Sequence, residues 1–333
     1  MTGGGASRDA WPALPLEAWA DTCATLHLWM QIAGKIRLAQ SPWMNHGWHA
    51  TLYPTATGLT TSLIPYRARA FQIDFDFLAH QLTVQSSDGG RAALALEPQS
   101  VATFYMRLMA EMRTLDLDVH IHGRPNEIAD AIRFDQDETH RTYDPEYANR
   151  FWRVLVQAHR VLSEFRARFI GKCSPVHLFW GAPDLAVTRF SGRRAPQHPG
   201  GIPNLPDWVT RDAYSHEVSS CGFWPGGGPI RHAAFYAYAY PEPAGFDKAP
   251  IRPGEAFFSI DLREFILPYD AVRQSASPDD TLLDFLQTTY EAAADLGTWD
   301  RRSLERERDP KSAVQEPFRR TELDLERKGR EGR

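Results

Sequence analysis

The chain has 333 residues, with 37 Lys and Arg against 42 Asp and Glu, a formal net charge of -5 and three cysteines. That length suffices for two domains, or for one domain built from two related halves, with a core that needs no crosslinks. The negative charge and scattered basic residues argue against a nucleic-acid partner, and Cys23, Cys173 and Cys221 form neither a disulfide framework nor a Cys-x-x-Cys zinc site.

No segment reaches the roughly 20 apolar residues of a membrane-spanning helix, so no membrane partner is expected. The first residues lack the basic-then-apolar pattern of a secretory signal, which points to the cytoplasm. Residues 1–10 are expected to be disordered. Residues 16–40 read as a long helix, with Trp19, Cys23, Leu26, Met30 and Ala33 recurring every three or four positions. Pro42, Asn45 and Gly47 end it, and residues 49–96 read as a meander of strands. Within the meander, residues 70–77 place Phe71, Ile73, Phe75 and Phe77 on one face and Gln72, Asp74 and Asp76 on the other. A second helix is predicted over 99–113 and a strand over 115–122.

The second half restarts a similar programme, with a long helix over 145–170, a strand at His177 and a final helix over 281–296. Each half also holds a Phe-x-Ile-Asp sequence, Phe71 to Asp74 and Phe258 to Asp261. The fold class expected is therefore α+β, two tandem, duplicated helix, antiparallel-meander, helix halves over 11–143 and 144–300 forming one unit. Spacing from His177 to Phe258 is much longer than from His49 to Phe71, so residues 192–250 read as an insertion in the second copy. It contains a Pro/Gly loop near Arg193, the run from Tyr214 to Gly228, and a strand with alternating Tyr236, Tyr238 and Tyr240. Residues 301–333 alternate acids and bases with few apolar side chains and are expected to be a disordered tail.

Trp11-Pro-Ala-Leu-Pro15, Thr25-Leu-His-Leu-Trp29, Asn45-His-Gly-Trp-His49, Tyr214-Ser-His-Glu-Val218 and Gly222-Phe-Trp-Pro-Gly226 are the residues that carry a likeness. With them, the sequence resembles the bacterial uncharacterised family catalogued as domain of unknown function 5996. The resemblance covers nearly the whole chain and implies no activity or catalytic residues.

Chemistry is expected first at Leu115-Asp-Leu-Asp-Val-His-Ile-His122. On a strand, His120 and His122 share one face, where both imidazoles reach a common metal ion. His49, His177 and His216 are candidates to complete the site, for a divalent iron, zinc or manganese ion, with Glu217 as general base. No P-loop or dinucleotide glycine pattern is present, so no nucleotide cofactor is expected. Lys35, Arg37, Trp48, Trp180 and Trp224 are candidate substrate-binding residues for a small-molecule ligand held between the halves. The function expected is a small-molecule enzyme, metal-dependent and hydrolytic or oxidative. The alternatives are a non-catalytic binding protein, or a metal-free hydrolase or transferase using His216, Glu217 and Cys221.

Overall fold

The computed structural model describes residues 10–306. Helix α1 (Leu16–Gln40) is buried around most of its circumference, including Trp29, Ile32, Ala33 and Ile36, with the polar Gln31, Lys35 and Arg37. A helix enclosed on all sides has no strong apolar stripe, and this one forms the shared centre of the molecule. Gly34 lies in its interior because the indole of Trp180 occupies the space that a Cβ would need.

The first sheet is antiparallel, in the order β1 (Tyr53–Pro54), β2 (Gly58–Thr60), β4 (Arg69–Asp76), β5 (Gln81–Ser86), β6 (Arg91–Ala95), with β3 (Ile64–Tyr66) also on β4. The alternation read in β4 is observed: Phe71, Ile73 and Phe75 are buried, and Gln72, Asp74 and Asp76 are only partly covered. Helix α2 (Val101–Thr114) packs on α1 and β6, its first turn capped by Ser100, which accepts the Thr103 N–H at 3.1 Å.

The second sheet is also antiparallel, in the order β11 (Phe257–Ser259), β12 (Glu264–Pro268), β10 (Ala234–Tyr240), β9 (His216–Trp224), β8 (Asp184–Arg194), β7 (His177–Phe179). Helices α3 (Pro145–Ala167) and α6 (Pro278–Leu296) cover one face, burying Val187, Cys221, Phe223 and Phe235 in the main core. Between β8 and β9 lies the short helix α4 (Asp207–Ala213), and between β12 and α6 lies α5 (Tyr269–Arg273). Leu52 and Leu178 exchange backbone hydrogen bonds of 2.9 and 2.8 Å, stitching the two sheets together. No helix of the described residues is long and apolar enough to cross a membrane.

The fold is α+β, with two antiparallel sheets, and the expected internal duplication is not confirmed. Phe71 to Asp74 lie mid-sheet on β4, whereas the matching Phe258 to Asp261 begin on the edge strand β11 and run into a turn where Ile260 is 78% exposed. Residues 192–250, read as an insertion, supply β9 and β10 at the middle of the second sheet. The strand expected over 115–122 is absent. A turn at Asp116 (φ 52°) follows α2, and the chain then runs without regular secondary structure with Leu117 and Val119 buried, while the Asp118 N–H donates to the Tyr66 hydroxyl at 3.0 Å instead of to a neighbouring strand. At the far end, Arg301–Leu304 form a helical turn, α7, and Arg301 reaches Asp295 at 2.9 Å and Glu305 at 2.6 Å. The expected tail is therefore ordered at its start, and its remainder, like residues 1–9, lies outside the described residues.

Candidate functional site

Strand geometry sends alternate side chains of the second sheet to opposite faces. Leu185, Val187, Cys221 and Phe235 point to the helices, and Asp184, Ala186, Thr188, Ser220, Tyr236 and Tyr238 point away from them. Above this second face lies a cavity of about 210 Å³. Residues 202–214, which hold α4, close it from above with Ile202, Leu205 and Val209, and Glu127, His46 and Trp48 complete its walls. Larger depressions on the first half, of about 370 and 460 Å³, are open surface grooves without a buried acid or histidine.

Asp184 is the chemical centre of the cavity. Burial pushes its carboxyl up to about 8, the Tyr236 hydroxyl that donates to Oδ2 offsets part of that rise, and the nearby Glu127 adds to it. Glu127 is raised by burial as well, although its residue surface stays open at the cavity's edge, where solvent tempers the effect. A third acid, Glu264 on β12, is pushed up to about 7 by burial, and its charge is felt by Asp184 and by Tyr214, Tyr236 and Tyr238. Along the same sheet face runs a series of hydroxyls, Thr188 to Ser220 at 2.8 Å and Tyr238 to Tyr214 at 2.8 Å. Burial raises all three of these tyrosines, so they act as neutral donors and acceptors.

Two non-glycine residues of the walls, His46 (φ 61°) and Glu127 (φ 62°), hold left-handed backbone. Such conformations cost about 1–3 kcal/mol and persist only where the surroundings impose them. For Glu127 the surroundings are identifiable. Gln31 of α1 exchanges two hydrogen bonds with the Asn126 backbone, of 2.8 and 2.9 Å, and the Glu127 N–H donates to Pro203 O at 2.8 Å. Asn126 and Asn204 then tie the same loop to the covering segment, donating to Asn204 O and Ile128 O.

At the other end, the His46 N–H donates to Asp212 at 2.9 Å and its Nδ1 lies 3.0 Å from Ala213 O. The Lys172 ammonium donates to Nε2 at 2.5 Å, which assigns the ring hydrogen to Nδ1. Burial lowers the His46 pKa, keeping it neutral. Lys172 Nζ also stands 4.9 Å from the Phe190 ring and 5.6 Å from that of Trp48, without an ion-pair partner among the described residues.

The residues singled out from sequence are dispersed. Trp48 lines the cavity. His216 stands near its His46 end, the two rings 6.2 Å apart. Glu217, one residue on, points to the opposite face, where Arg193 holds it at 2.7 Å and also reaches Thr298 O at 3.1 Å. Cys221 lies roughly 13 Å along the strand from Glu217, buried against the helices with its thiol pushed up to about 12. Strand alternation therefore places His216 on the face opposite to Glu217 and Cys221. His120 and His122 are exposed; His49 accepts the Met44 N–H at 3.2 Å, and His177 is fully buried between Tyr53 and Phe179. Among the described residues no group of three or more His, Cys, Asp or Glu is placed to hold a metal ion. Lys35 and Trp180 pack together under α1, with the indole N–H donating to Ala50 O, and Arg37 donates to Thr51 O. Trp224 borders the small apolar cluster of Ala234, Tyr236 and Ile266.

Asp184, Glu127 and the Tyr214–Tyr238 pair were missed by the sequence reading. A signal existed in the alternation Asp184, Ala186, Thr188, Phe190 against Leu185, Val187, Arg189, which marks an acid on a strand's second face. Nothing in the sequence brings Glu127 to it. No curated protein and no solved structure matches the chain. Residues 11–306 match the family of unknown function DUF5996 along almost the whole of the described structure, and the chain belongs to that family.

Proposed function

We propose that this protein is an enzyme that binds a small polar molecule in the cavity over the second sheet and acts on it by carboxyl acid–base chemistry. The observation that carries this reading is Asp184, a carboxyl raised to about 8 with a hydroxyl donor fixed on one oxygen and a second acid, Glu127, across the cavity. An acid that holds its proton near neutral pH is suited to donate it to a leaving group or a carbonyl, and the resulting carboxylate is held by Tyr236 for the return step. The cavity is small, with room for about seven waters at the volume each takes in the liquid, so the substrate is compact. Its apolar cover and aromatic walls limit water around the reacting atoms.

The test is a panel of compact polar metabolites, read first by protein thermal shift and then by mass spectrometry for turnover. The expected result is a ligand that stabilises the wild type, is converted by it, and is not converted by Asp184→Asn, which keeps the shape of the side chain but cannot give up a proton at these pH values. Conversion by Asp184→Asn at the wild-type rate would remove Asp184 from the chemistry. Tight binding with no conversion by the wild type would favour a non-catalytic binding protein.

A further inference from the structure

We infer that the ligand of this cavity is a small organic ammonium compound, whose positive group is taken between Asp184 and Glu127 and against the tyrosine rings. This rests on the proposal that the cavity is the functional site, and it names the class of molecule the site accepts.

The charge inventory points one way. Asp184 and Glu127 line the cavity, Glu264 stands close behind, and no lysine or arginine is among the lining residues; His46, the one basic ring there, is kept neutral by burial and by accepting from Lys172. An anionic ligand would meet two acids among the lining residues, and the nearby ammonium of Lys172 is already engaged with His46 and the rings of Phe190 and Trp48. A neutral ligand leaves Asp184 protonated, whereas an ammonium group donates to both carboxyl groups and draws Asp184 to its ionised form by pairing with it.

The walls are of matching chemistry. Tyr214, Tyr236, Tyr238, Trp48 and Phe190 contribute aromatic rings to the walls, and ring faces attract a cation when water is excluded. Lys172 Nζ rests against the rings of Phe190 and Trp48 and donates to His46, so the rings left for a ligand's cation are those of the three tyrosines. A separate observation comes from the covering segment. Thr210 lines the cavity, is 2% exposed, and its hydroxyl has no hydrogen-bond partner among the described residues. A buried hydroxyl of this kind is an unmet acceptor or donor, and a polar group on the ligand would meet it.

The experiment compares n-butylamine, ethanolamine and putrescine with n-butanol and butyrate, using the full chain, ligand-observed NMR and calorimetry. The amines are expected to bind at least tenfold tighter than n-butanol, with no detectable butyrate binding, and to lose at least tenfold in Asp184→Asn. Glu127→Gln, which alters the more open acid, gives a second variant whose folding is less at risk, and it is expected to weaken the amines several-fold. Circular dichroism checks both. If n-butanol or butyrate binds as well as the amines, the ammonium assignment falls while the cavity remains the site. If amine affinity is unchanged in both variants, the carboxyl pair does not receive the cation and the inference is overturned. If none of the probes binds, but a neutral metabolite from the wider panel does, the class is wrong and the functional proposal stands.

Discussion

Asp184→Asn makes a quantitative test of the site that needs no ligand. The carboxyl has an ordinary value of 3.8 and is raised to about 8 in the folded protein. Between those values the unfolded chain has lost the proton and the folded chain keeps it, so stability falls as pH rises from about 4 to about 8 and then levels off. Each unit is worth about 1.4 kcal/mol, so the full interval has a ceiling of about 6 kcal/mol. Asp184 is partly accessible through the cavity, and water there reduces the ceiling to about 2–4 kcal/mol. Asparagine keeps an oxygen to accept from Tyr236 and has no charge to bury. The variant should therefore be close to the wild type at pH 5 and more stable by about 2–4 kcal/mol at pH 8.5. Urea denaturation at half-unit steps from pH 5 to 9, for both proteins, reads the difference directly and cancels the parallel contribution of Glu264. A difference that stays flat across that range would refute the burial of an ionisable Asp184.

Tyr236→Phe removes the hydroxyl that favours the ionised carboxylate; the pH-dependent loss of stability should then extend to higher pH than in the wild type, and an unchanged profile would dissociate the two groups. On the acid side, His177 and His27 are buried with pKa values lowered by desolvation to about 3 and about 4, so stability is present above pH 6.5 and is lost by about 1.4 kcal/mol per unit and per histidine as pH falls through that value. His177→Phe should reduce that acid slope by about 1.4 kcal/mol per unit, and a slope equal to wild type would count against the buried neutral imidazole. Gly34→Ala puts a methyl group into the Trp180 indole and should cost about 1–3 kcal/mol, with altered tryptophan fluorescence; full stability would show that the helix and strand can part. Cys221 should resist a thiol reagent in the folded protein and react on unfolding, since it is 3% exposed and its thiol is raised to about 12; rapid native labelling would contradict its placement.

Legibility from sequence followed the range of the forces involved. Alternation in β4 and helical periodicity in α3 are local, and both elements were predicted close to where they lie. The duplication is not confirmed, because repeated short words such as Phe-x-Ile-Asp do not fix strand order, and β9 and β10, inside the apparent insertion, are central to the second sheet. His120 and His122 kept the predicted in–out alternation of their segment without a partner strand, so periodicity alone did not distinguish a strand from a loop on the core. The tyrosines of β10 were recognised as a strand, but their value lies in register: Tyr238 faces Ser220 and Tyr236 faces Gly222, whose missing side chain leaves room for the Tyr236 ring. Glu127 reaches the cavity through Gln31, 96 positions earlier in the chain by subtraction of their residue numbers, and no spacing rule conveys such a contact.

The most direct test of the account is a titration of the carboxyl carbon of Asp184 by NMR in protein labelled at its aspartates, assigned by comparison with Asp184→Asn. The account predicts one aspartate resonance that titrates near pH 8, is absent from the variant, and moves to lower pH when an amine occupies the cavity. An Asp184 signal that titrates in the ordinary carboxylate range would contradict it.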